Sequence, residues 1–229
     1  MSIGLRAIAG GCLISLAAAT VAGGAAAHDN DHHGGRESRL KGEYAFTGSA
    51  HCVDSSVGFT PSPANQPICA DTMLPIAPLG GPPATRNSCP GVSAHTFVVE
   101  GIRRFFGNGS GTVWGKAVSL NPPPNTLFQG AASSDFFYRF TYDVDGNNEF
   151  STELVPGTYV GTFASGPRTG QTYTIDTLPF VGLIGIDAKT LTIANIEPTV
   201  ETQTFSNGDV RYRICQRSRV LIKMDNDRR

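Results

Sequence analysis

From Leu40 onward, apolar and polar residues alternate with a period of two. Tyr44 and Phe46 share one face of Glu43-Tyr44-Ala45-Phe46-Thr47. The run 135–144 sets Phe136, Tyr138, Phe140, Tyr142 and Val144 against Asp135, Phe137, Arg139, Thr141 and Asp143. Successive strand side chains point to opposite faces, so this pattern predicts strands with one face buried. Two such runs, 95–106 and 111–120, flank Gly107-Asn108-Gly109-Ser110-Gly111, where Asn-Gly predicts a tight hairpin with positive φ at both turn residues. Asp145-Gly146-Asn147-Asn148 predicts the next turn. Further short strands are expected near 149–154, 158–163, 171–177, 180–186, 190–196, 199–205 and 210–223. They are broken at Pro156-Gly157, Gly166-Pro167, Pro179, Asp187-Ala188-Lys189, Pro198 and Asn207-Gly208-Asp209. Nothing after residue 40 carries a helical period.

Short strands at this spacing, joined mainly by hairpin-length turns, predict an all-β chain. The expected form is a single antiparallel up-and-down β-barrel of roughly 8–10 strands, with a β-sandwich as the alternative. An outer-membrane barrel needs strands of roughly 9–11 residues with an outward apolar band, and several runs here are shorter.

Met1–Ala27 reads as a secretory signal peptide: Arg6, an uncharged small-apolar stretch from Ile8 to Val21, then Ala25-Ala26-Ala27 as a cleavage pattern. The protein is therefore expected to be exported to the periplasm or the medium, with no stable membrane span in the mature chain. Residues 28–39 form a polar His-rich tail expected to be disordered. Residues 40–229 form the barrel domain, interrupted by a Pro-rich loop at 57–92.

Loss of the leader removes Cys12 and leaves Cys52, Cys69, Cys89 and Cys215. An even count in an exported chain favours disulfides. Of the three pairings, Cys69–Cys89 would close the Pro-rich loop. Cys52–Cys215 would tie the first strand to the last, as barrel closure requires. No Cys-x-x-Cys occurs, which argues against structural zinc. Lys plus Arg is 18 and Asp plus Glu is 19, for a net charge of -1, so bulk charge attracts no nucleic acid.

Several segments carry a resemblance: Gly42-Glu43-Tyr44-Ala45-Phe46-Thr47-Gly48, Gly101-Ile102-Arg103-Arg104-Phe105 and Gly166-Pro167-Arg168-Thr169-Gly170-Gln171-Thr172-Tyr173. Pro198-Thr199-Val200-Glu201 and Asn207-Gly208-Asp209-Val210-Arg211 continue it. Through these the chain resembles a set of secreted bacterial β-barrel proteins of unassigned chemistry. The resemblance implies a calycin-like architecture, similar to allene oxide cyclase barrels, and carries no catalytic residue across.

The aromatic stripe Phe136, Tyr138, Phe140 and Tyr142 is expected to point into the barrel, either as plain core or as the wall of a ligand pocket, with Tyr212 opposite or adjacent. In the last strand Arg211, Arg213, Arg217 and Arg219 fall on one face with Cys215. The other face, Val210, Tyr212, Ile214, Val220 and Ile222, reads as core. The arginines are therefore expected outside, paired with carboxylates such as Glu201. The functional alternative is a cationic strip for an anionic ligand, glycan or lipid headgroup. Glu100 shares a face with Val98, Ile102, Arg104 and Phe106. It is the catalytic candidate if the barrel is an isomerase or cyclase, and otherwise an ion-pair partner for Arg104.

His51 and His95 stand in no catalytic motif, and no nucleophile elbow, Walker loop, HExxH or dinucleotide fingerprint occurs. Asp143-x-Asp145-Gly-Asn147 fails the EF-hand spacing beyond its first positions, and a hairpin turn explains it. His28, His32 and His33 in the tail are the metal candidates, and no cofactor is expected. The first functional expectation is an exported barrel that binds a small apolar or amphipathic molecule inside. A barrel isomerase or cyclase and a filled structural or cell-surface protein are the alternatives.

Overall fold

The structure, a computed structural model, describes residues 35–70, 72–76, 91–121 and 130–224. Five strands run long: β1 (Lys41–Ser55), β2 (Val92–Phe106), β3 (Ser110–Asn121), β4 (Gly130–Val144) and, last in the chain, β11 (Val210–Lys223). Six are short: β5 (Glu149–Leu154), β6 (Val160–Ser165), β7 (Thr172–Ile175), β8 (Phe180–Ile184), β9 (Thr190–Ala194) and β10 (Val200–Phe205). Every pairing between them is antiparallel.

The short strands are three long ones, each interrupted once. β5 pairs with the C-terminal half of β4 and β6 with its N-terminal half. β9 and β10 divide β11 in the same way. β8 bridges β5 to β9, and β7 bridges β6 to β10. The interruptions at 155–159, 176–179 and 195–199 each contain a proline: Pro156, Pro179 and Pro198. Proline has no N–H to give the ladder, which ends regular pairing there. The result is an eight-stranded up-and-down barrel with a closed ring at each end, which excludes the sandwich. β1 meets β11 along its length, from Tyr44↔Lys223 to Ser55↔Tyr212. Cys52 lies directly opposite Cys215, and the two are disulfide-bonded inside the barrel. Cys69 is also disulfide-bonded; its expected partner Cys89 lies outside the described residues. So do the expected signal peptide, the Pro triplet at 122–124 and the tail histidines His28, His32 and His33.

The end where β1 begins is a packed aromatic core. Tyr44, Phe105, Phe140, Tyr142 and Phe150 are buried there, with Phe105 edge-on to the other four. Large rings fit inside eight strands because glycines face them: a Cβ on Gly111 would lie 2.3 Å from Phe140, and one on Gly182 2.5 Å from Phe150. The short 3-10 turn Glu37–Arg39 sits against this end. The Tyr142 hydroxyl lies 3.0 Å from the Glu37 carbonyl and 2.9 Å from that of Leu40.

One turn differs in detail from expectation, and the next is the hairpin turn expected. Between β2 and β3, Gly107 and Gly109 take positive φ while Asn108 does not; its side-chain oxygen instead accepts from the Ser110 N–H and hydroxyl. Asp145 accepts backbone N–H bonds from Asn147 at 2.8 Å and Glu149 at 2.9 Å, so it holds a hairpin turn.

The faces of β11 are the reverse of the expectation. Arg211, Arg213, Cys215, Arg217, Arg219 and Leu221 point inward and are buried. Val210, Val220 and Ile222 are exposed outside, with Tyr212 and Ile214 half-buried. Alternation alone does not say which face is inner, and hydrophobicity chose wrongly. The register with β1 decides, because Cys52 and Cys215 must share the inner face with Tyr44 and Phe46.

Candidate functional site

Above the aromatic core the barrel interior opens into a cavity of about 80 Å³. Phe136, Tyr138, Tyr159, Phe163 and Tyr173 supply its aromatic wall; Arg211, Arg213, Arg217, Arg219, His95 and Gln203 supply the polar one. Phe136, Tyr138 and Tyr159 lie nearly parallel, with centroids 5.5–6.3 Å apart. Gly161 makes room for Tyr173, whose ring would lie 2.2 Å from a Cβ at that position. The Tyr173 hydroxyl is 3.1 Å from the Ser134 hydroxyl. Burial, then the neighbouring Tyr173, pushes the Tyr159 phenol well above its ordinary value.

Interior charge is arranged in two paired groups. Glu201, 1% exposed, accepts from Arg213 Nε at 2.9 Å and from Arg217 Nη2 at 2.7 Å, with Arg217 Nη1 on its other oxygen. Burial opposes the charge on both arginines. For Arg213, Glu201 together with Tyr159, Asp54 and Tyr173 outweighs it and the pKa rises; for Arg217 burial prevails and the pKa falls. Nearer the rim, Asp54 lies 2.5 Å from His95 Nδ1 and 3.4 Å from Arg211 Nη1. Burial acts to raise the Asp54 pKa, but the His95 hydrogen bond and the surrounding cations hold it below the usual carboxylate value. Arg211 is brought down to about 10, chiefly by burial, and stays charged at neutral pH.

Two more guanidinium groups have no carboxylate among the described residues. Arg219 hydrogen-bonds the Tyr138 hydroxyl, at 3.4 Å, and stacks over Phe180 at 4.7 Å and Phe46 at 5.2 Å. Arg103, 1% exposed, lies 3.9 Å over Phe140 and 5.9 Å over Phe180. Its three side-chain nitrogens and Arg219 Nε have no hydrogen-bond partner among the described residues. Burial, with Arg219 adding to it, lowers Arg103 to about 10, so it too is a cation at neutral pH.

The expected site residues divide three ways. Phe136 and Tyr138 line the cavity, whereas Phe140 and Tyr142 belong to the packed core below. Tyr212 is on the outer face and cannot reach the interior. Glu100 is exposed on the outside of β2, opposite Thr47 and Lys116. Arg104 turns instead to Glu43, 3.8 Å away. His51 is exposed, while His95 is buried against Asp54.

Sequence reasoning put Arg211, Arg213, Arg217 and Arg219 on the wrong face, and it missed Arg103, Asp54 and Gln203 altogether. The signal that locates the arginines was present: they share a face with Cys215. No group of three or more His, Cys, Asp or Glu able to hold a metal ion occurs among the described residues. Compared with protein-family models and with curated proteins, the chain matches none.

Proposed function

We propose that this protein is an exported binding barrel that holds a small amphipathic molecule in its upper interior. The observation that carries the reading is the cavity itself, walled by stacked aromatic rings on one side and guanidinium groups on the other. Ligand sites in barrels pair apolar walls with a few placed polar groups in this way. The Cys52–Cys215 disulfide supports export, since such bonds persist in oxidising compartments. A cyclase or isomerase working through Glu100 has no support, because that carboxylate faces away from the cavity.

Native mass spectrometry of the protein, purified without detergent from the periplasm or medium, tests the reading. A discrete mass above the two-disulfide chain is expected, retained in Tyr212→Ala and lost in Tyr138→Ala. A bare chain mass, or equal retention in both variants, overturns it.

A further inference from the structure

Among the described residues the buried ions are five arginines, Arg103, Arg211, Arg213, Arg217 and Arg219, and three carboxylates, Glu37, Asp54 and Glu201. Glu37 sits at the packed end, beside the Tyr142 hydroxyl that bonds its carbonyl. The other two carboxylates are already engaged. Glu201 is held by Arg213 and Arg217, and Asp54 by His95 and Arg211. Arg219 and Arg103 both lie near the Phe180 ring, 4.7 and 5.9 Å from its centre, and between them four nitrogens have no hydrogen-bond partner among the described residues. A buried cation without an anion is unfavourable by several kcal/mol, and ring faces offset only part of that. Arg219 is 6% exposed and lines the cavity, while Arg103 lies buried behind it.

Resting on the proposal of a binding barrel, we infer that its ligand is a small organic acid whose carboxylate docks on Arg219, with Arg103 supplying a second positive charge from behind. Arg219 lines the cavity with its Nε buried and unpartnered among the described residues, and its Nη1 stands 3.4 Å from the Tyr138 hydroxyl. The guanidinium fork matches the planar, two-oxygen geometry of a carboxylate. The body of the acid lies along Phe136, Tyr138 and Tyr159. Their parallel faces offer an apolar wall to a short alkyl group. The cavity of about 80 Å³ holds roughly six water-sized groups, which suits a short alkyl acid and is too small for an aryl acid or a long acyl chain. Inorganic phosphate shares the charge but has no body to cover the rings.

Calorimetric titration of the full exported protein at neutral pH with propionate, propionamide and inorganic phosphate tests this. Propionate is expected to bind at least about tenfold more tightly than propionamide, the worth of one charge-assisted bond, and phosphate more weakly than propionate. Arg219→Gln should remove the propionate preference. Arg103→Met should weaken propionate and raise the melting temperature of the unliganded protein, because it removes an unpaired buried charge. The propionate-to-propionamide ratio of the unsubstituted protein stands as a test even if a variant does not fold. Equal binding of propionate and propionamide overturns the carboxylate assignment and leaves the binding barrel intact. Tighter binding of phosphate overturns it in favour of an inorganic anion site. Failure of all three to bind overturns the assignment, and the mass-spectrometric result then judges the binding barrel separately.

Discussion

Glu201→Gln is the sharpest perturbation of this interior. The substitution preserves shape and removes one negative charge from a carboxylate 1% exposed to solvent. It strands Arg213 and Arg217, whose bonds at 2.9 and 2.7 Å converge on one Glu201 oxygen. Removing one partner of a buried ion pair costs about 3–5 kcal/mol, because the charge left behind is neither solvated nor paired. For a domain of this size that lowers the melting temperature by roughly 10 °C. Urea unfolding followed by far-UV circular dichroism, with the m-value held constant, measures the loss. The companion variant Glu201→Leu/Arg213→Met/Arg217→Leu removes all three charges together. It should recover most of the stability, since an apolar set of similar volume avoids desolvating three ions. A loss below about 1 kcal/mol in Glu201→Gln would refute the reasoning and show that water reaches and screens these arginines.

The other expectations are separate. Cys52→Ala/Cys215→Ala opens a link between residues 163 apart. By the chain-entropy argument it should lose up to about 5 kcal/mol in urea unfolding, and an unchanged midpoint would contradict it. Asp54 has a folded pKa below its unfolded value, so its contribution is fully present above the ordinary aspartate value of about 3.9 and is lost as pH falls through the folded one. Stability should therefore fall more steeply between pH 5 and 2 (approximate bounds) in the unsubstituted protein than in Asp54→Asn, with equal slopes as the refuting result. Gly111→Ala would set a methyl 2.3 Å from both the Phe140 ring and the Arg104 carbonyl. It should destabilise by about 1–3 kcal/mol, and a neutral effect would show that the packed end tolerates repacking.

The period-two alternation and the proline and glycine breaks suffice to give an antiparallel up-and-down barrel, because each strand must bury one face and each turn needs its special residues. The strand 136–144 was legible down to its inner face, since only one of its faces is rich in rings. The pairing of Cys52 with Cys215 was legible because closure brings first and last strands together.

What the tertiary structure alone decided is the chemistry of the interior. In β11 both faces carry plausible core residues, and a shift of one position exchanges them completely. Local hydrophobicity sends the arginines outside, where solvation is free. The register with β1 sends them inside, where Glu201 and Asp54 arrive from other strands to neutralise some and leave Arg103 and Arg219 without a counter-charge among the described residues. Likewise, whether Phe136 and Tyr138 face a void while Phe140 and Tyr142 are packed depends on which residues eight strands bring to each level. That is a property of volume summed around the ring, which no single strand contains.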